Sequence, residues 1–97
     1  MKRGKKGEWT DVTERRPGYT DARPLTMVFR GENGLVMTLY RISPNMRWQM
    51  QCPMFDLFAE ELAHVDTTLA QSQAIGRVRR ELQRINEDLD IAARRIA

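Results

Sequence analysis

The chain has one cysteine and one histidine in 97 residues. One thiol excludes an internal disulfide framework, and a lone imidazole beside it leaves no ordinary all-protein zinc site. No apolar run approaches the roughly 18 residues of a membrane helix, so no membrane partner is expected. Met1-Lys2-Arg3 is not followed by the apolar segment of a signal peptide, so no leader is expected either. Aromatic residues are sparse, at 7%. The chain is also short. It allows one compact domain burying roughly two-thirds of its unfolded surface, which provides a core but no deep pocket beside it.

What is present is charge, laid out in blocks. Sixteen Lys and Arg stand against thirteen Asp and Glu, a net of +3. Residues 1–30 carry +4, residues 31–52 +1, residues 53–75 −4 and residues 76–97 +2. Lysine occurs only as Lys2, Lys5 and Lys6, and every later base is arginine. Arginine offers a planar fork of donors suited to carboxylates and phosphates, whereas lysine is a flexible, hydrated point charge.

Residues 1–24 are polar and broken by Gly4, Gly7, Pro17, Gly18 and Pro24, so they read as a flexible basic arm and loop. Trp9 and Tyr19 either pin this segment to the domain or serve as exposed anchors. From Leu25 the pattern turns to period two. Strands are expected at about 25–30, 35–42 and 46–51, separated by Gly31-Glu32-Asn33-Gly34 and Ser43-Pro44-Asn45. Five of the six methionines fall between residues 27 and 54, where they fill a core or form an adaptable surface.

Pro53 suits the first turn of a helix, and Phe55, Phe58, Leu62, Val65 and Leu69 recur at 3-4-3-4 spacing. A second seam runs through Ile75, Val78, Leu82, Ile85, Leu89, Ala92 and Ile96. The seams slip past one another at Gln71-Ser72-Gln73 and Gly76. That slip predicts two helices, about 54–74 and 77–96, folded as an antiparallel hairpin. A single bent helix with a skip is the alternative. The expected fold is therefore α+β: residues 25–97 form one domain, a three-stranded antiparallel meander followed by a C-terminal antiparallel helical hairpin.

Catalytic arrangements are hard to find. His64 has Glu60, Glu61, Thr67 and Thr68 one turn away, but a single helix face cannot converge these groups on one substrate atom. Cys52 precedes a helix start without a nearby base, which reads as a structural thiol. Asp56 with Glu60, or Glu87 with Asp90, reads as solvated helix surface rather than a magnesium site. Gly31-Glu32-Asn33-Gly34 lacks the Lys and the helix of a phosphate loop. No enzyme, cofactor or metal is expected.

Two binding classes remain. Lys2, Arg3, Lys5 and Lys6 with Arg77, Arg80 and Arg84, the latter at i, i+3 and i+7, could follow a phosphate backbone. Glu81, Glu87, Asp88 and Asp90 interrupt that field and offer ion pairs instead. The other class is protein docking, through Trp9, Arg15, Arg16, Tyr19 and Arg23, residue types that dominate binding hot spots. A homodimer that pairs two hairpins is a further option.

The basic start Met1-Lys2-Arg3-Gly4-Lys5-Lys6, the Arg-rich Gly76-Arg77-Val78-Arg79-Arg80-Glu81-Leu82 and the overall length carry a resemblance. The chain resembles the small accessory recombination proteins of temperate enterobacterial phages, the anti-RecBCD proteins of P22-like phages among them. The resemblance implies a protein of the host cytoplasm that binds RecBCD through RecC and modifies or co-opts DNA-end resection and recombination. It assigns no role to individual residues.

Overall fold

The computed structural model describes residues 5–96. Its elements are β1 (Trp9–Asp11), β2 (Thr26–Arg30), β3 (Val36–Tyr40), β4 (Gln49–Cys52), a 3-10 turn (Pro53–Phe55), β5 (Leu57–Glu61) and α1 (Thr67–Arg94). The strands form one antiparallel sheet in the order β1-β2-β3-β4-β5. The expected three-stranded meander with a helical hairpin is thus incorrect. The fold is a five-stranded meander followed by one helix. β2, β3 and β4 lie in the three alternating stretches, but as the middle of a wider sheet.

Pairing beyond the local sequence explains both added strands. β1 is three residues long, and Trp9, Thr10 and Asp11 pair with Phe29, Val28 and Met27. β5 interrupts the seam read as a first helix and takes up only Phe58 of it. Phe55 lies in the turn before it, Leu62 and Val65 in the connection after it, and Leu69 in α1. Pro53 opens only one 3-10 turn, which Asp56 ends in the left-handed region at φ 57°. Leu57 then pairs with Cys52, and Glu60 with Met50, so β5 carries one extra residue across this stretch. Ala59, at φ 52°, absorbs that bulge. Pairing satisfies the open edge of β4, which a helix at this point would have left without partners.

The second helix boundary was also misplaced. α1 begins at Asp66, whose carboxylate accepts from the Leu69 N–H at 2.9 Å, a standard N-cap. It then runs 28 residues straight through Gly76. A Cβ added at Gly76 would meet nothing within 4 Å, so this glycine lies on the open side and marks no turn. The buried face uses Ala70, Ala74 and Val78, at i, i+4 and i+8, while Leu69 is exposed. Small alanines let the helix settle closely on the sheet, and that is why the seam of large residues slipped. A continuous helix holds from Thr67 onward.

Cross-strand partners lie on one face, so Met37, Leu39, Met50 and Cys52 share the side that α1 covers. With Trp48, Leu57, Leu62, Ala70, Ala74 and Val78 they form the core, flanked by Trp9 against Phe29 at a ring distance of 5.7 Å. Of the methionines, Met37 and Met50 are core residues, whereas Met46 and Met54 are exposed. Burial raises the Cys52 thiol above its usual range, against hydrogen bonds from the Phe55 and Met54 backbone.

Past Val78 the helix leaves the sheet, and residues 82–96 are exposed throughout. At 1.5 Å per residue the stretch from Arg79 to Arg94 is about 24 Å long. The described molecule accordingly measures 65 × 26 × 18 Å.

Candidate functional site

Among the described residues no helix covers the opposite face of the sheet. Thr26, Tyr40, Gln49 and Glu61 pair across it, as do Val28, Thr38 and Gln51. At its β1 end, the segment between β1 and β2 folds along this face. Val12 N–H donates to the Thr26 carbonyl at 3.0 Å. Thr13 Oγ1 accepts from the N–H groups of Leu25 and Thr26 at 2.8 and 3.0 Å. These bonds fix the entry and exit of the loop.

Two adjoining hollows result, each of about 430 Å³. Val12, Thr13, Thr26, Val28, Arg30 and Arg41 line the first; Arg16, Tyr19 and Ile42 line the second; Glu14 and Leu25 line both. Val28 is buried here, apart from the main core. Ile42 is 86% exposed. Arg16-Pro17-Gly18-Tyr19 closes a turn through a 2.9 Å bond from Tyr19 N–H to the Arg16 carbonyl. Pro17 presets φ at the second position, and Gly18 takes the φ of 89° that the third requires. Tyr19 is held half-buried by this turn, and its Oη, shielded from solvent, has no hydrogen-bond partner among the described residues.

The residues expected to bind a partner therefore separate. Arg16 and Tyr19 line the groove. Arg15 instead braces the loop, donating to Asp11 Oδ2 at 2.9 Å and to the Ala22 carbonyl at 3.0 Å. Arg23 grips Asp21, at 2.7 Å for the closest pair, and donates to Asn45 Oδ1 at 3.1 Å. Trp9 faces the helix side, against Phe29. Leu25, Ile42 and Arg41 were missed. Ile42 was legible as a continuation of the Val36, Thr38, Tyr40 face.

Those braces titrate. Hydrogen bonds from the Arg23 side chain, then from its backbone N–H, bring the Asp21 carboxyl down to about 2. Burial raises Asp11, but hydrogen bonds from Thr13 and Arg15 outweigh it and leave the carboxyl below its ordinary value. Depressed carboxylates stabilise the fold above their unfolded pKa of about 4, and that contribution fades as pH falls through the folded values. The Thr13 and Arg23 amides, which donate to Asp11 and Asp21, should lose exchange protection relative to the strand amides as pH falls towards about 2. Unchanged relative protection over that interval would show that the braces do not hold the loop.

The basic residues do not converge. Lys2 and Arg3 lie outside the described residues. Lys5 and Lys6 are exposed at the β1–β2 edge, Lys6 bridging to Arg30. Arg77 lies at the opposite edge, bonded to Glu60 of β5 at 2.9 Å, and four strand spacings amount to about 19 Å. Arg77 also pairs with Glu81, which accepts from Arg84 at 3.0 Å. Arg77 holds the Glu81 carboxyl below its ordinary range despite the opposing effect of burial. Arg80 is exposed beside Glu60, Glu61 and Gln73.

His64 occupies the β5–α1 connection rather than a helix, its carbonyl accepting from Trp48 N–H at 3.1 Å. Among the described residues no group of three or more His, Cys, Asp or Glu side chains is placed to hold a metal ion, and no helix is long and apolar enough to cross a membrane.

Sheet and helix thus define a five-stranded meander backed on one face by a single long helix. Comparison of the chain with family models, curated proteins and solved structures returned no match.

Proposed function

We propose that the protein is a non-enzymatic binding module that docks on a larger host complex acting on DNA, through the groove between the 12–25 segment and the end of β3. The observation that carries this reading is the gathering of Arg16, Tyr19, Leu25 and the exposed Ile42 around one hollow. A tyrosine and an arginine beside exposed aliphatic surface are what a docking hot spot uses. RecBCD, contacted through RecC, enters the proposal as the partner implied by the resemblance to phage recombination proteins. The consequence would be altered DNA-end resection in the host cytoplasm.

Tagged protein should retain a stoichiometric partner from the host, and purified RecBCD is the first candidate to add. Arg16→Glu and Ile42→Asp should each lower that retention about tenfold or more, as loss of a hot-spot anchor does. Recovery of no stoichiometric partner overturns the reading, and retention of another complex in place of RecBCD overturns only the named partner. Direct binding to DNA phosphates is the weaker proposal, because Arg77 and Arg84 are already engaged by acids. It requires binding that falls steeply with salt.

A further inference from the structure

The projecting half of α1 presents a second surface, apart from the groove. Leu82, Ile85 and Leu89 are 45%, 43% and 60% exposed, and with Ala92 they keep the 3-4-3 spacing, while Ile96 follows the helix end. That spacing is the seam of a coiled coil, whose knobs require the holes of another helix rather than a flat surface. We propose that a second copy of this chain covers the seam, its helix antiparallel to the first.

The direction follows from the sheet. Ala70, Ala74 and Val78, buried on the sheet, lie on the same stripe of the helix as the seam beyond them. A parallel partner helix would need the space that the sheet already fills. An antiparallel one meets only the free half and leaves the two sheets at opposite ends. In that register Leu82 faces Ala92 of the second copy and Ile85 faces its Leu89. Large thus meets small at the ends, and large meets large at the centre.

The flanking charges favour this occupant. In heptad terms Glu81, Asp88 and Arg95 border the seam on one side, and Arg79, Asn86 and Ala93 on the other. Antiparallel symmetry sets Glu81, already bridged by Arg77 and Arg84, towards Arg95 of the second copy, and the two-fold axis repeats the pair. Asn86 faces its equivalent on one rim near the axis. Asp88 faces its own equivalent on the other, the single like-charge approach, in solvent. A parallel pair would instead set Glu81 near Asn86 and Asp88 near Ala93, with no opposite charges matched.

Sedimentation of the full chain over the micromolar range should show a monomer passing to a dimer. The double variant Ile85→Asn, Leu89→Gln should remain monomeric at every concentration while keeping the wild-type near-ultraviolet signal of buried Trp48. A wild type that stays monomeric, or a seam variant that still dimerises, overturns the proposal. Orientation is read by cysteine cross-linking with a short bis-maleimide, since Cys52 is buried. Asn86→Cys should give a covalent dimer, whereas Arg95→Cys should not, its two copies lying about 24 Å apart along the axis. The reverse pattern would overturn the antiparallel arrangement. Arg16→Glu and Ile42→Asp should leave the dimer intact, so failure here and failure of the groove reading remain distinguishable.

Discussion

Truncation of Trp48 to alanine is expected to cost about 3–5 kcal/mol, the range for removing a large buried aromatic. The side chain is fully buried, its Nε1–H donates to the Val65 carbonyl at 3.1 Å, and the Arg41 guanidinium lies 4.0 Å from the ring centroid. It also joins distant parts of the chain. Its backbone N–H donates to the His64 carbonyl, and its carbonyl accepts from Leu62 N–H at 2.9 Å. Small domains hold only about 5–15 kcal/mol in total, so the variant should be largely unfolded under mild denaturant. Urea unfolding followed by far-ultraviolet circular dichroism measures the loss. A cost below about 1 kcal/mol, ordinary for a peripheral site, would show that Trp48 does not anchor the core. Trp48→Phe keeps a ring but loses the N–H bond, and should cost about 1–2 kcal/mol more than its volume change alone.

The second large effect is expected at Arg41, a buried cation satisfied by backbone carbonyls. Nε and Nη2 donate to the Pro24 carbonyl at 3.1 and 2.8 Å, and Nη1 donates to the carbonyls of Met46 and Val65 at 3.3 and 2.9 Å. One guanidinium therefore ties the end of the β1–β2 segment, the β3–β4 loop and the β5–α1 connection. Burial first, and the nearby Arg23 second, lower its pKa, yet an arginine stays charged at any accessible pH. Arg41→Met retains the stem but strands those carbonyls, at a cost of about 2–4 kcal/mol. Arg41→Lys should recover less than half of that, because a single ammonium cannot span three loops. Chemical denaturation of both variants decides the matter. A methionine variant within about 0.5 kcal/mol of the wild type would refute the hub.

How much of this was legible follows from which signals are local. Period-two alternation and the Asn33-Gly34 turn marked the stretches holding β2, β3 and β4, because β3 and β4 bury every second residue and β2 sets Met27 and Phe29 against the core. β1 is too short for a period to register. β5 was hidden because Phe58 and Ala59 are both exposed around the bulge, which destroys alternation and leaves a spacing that imitates a helix. Asp66, the actual helix cap, went unrecognised because the apparent seam runs past it without a break. In the groove, Arg16 and Tyr19 stood out by residue type. That Arg15 and Arg23 are turned to Asp11 and Asp21 depends on the loop geometry, which no spacing encodes. Arg41 was opaque for a related reason: its partners are carbonyls, and every residue has one.

The order of the strands bears on how the molecule forms. Each strand pairs with its immediate successor in the chain, and only β1 is separated from its partner by a long segment. Sheets usually assemble slowly because loop closure over long separations comes before any stabilising contact. Here the β2–β3 hairpin, joined through Gly31–Leu35, can close first, and β4 and β5 can then be added by short steps. Only the long connection before β2, the return of Val65 to Arg41 and Trp48, and the laying of α1 across the sheet need larger closures. These later steps are where refolding should be slowest, and where substitutions at Arg41 should act on the folding rate.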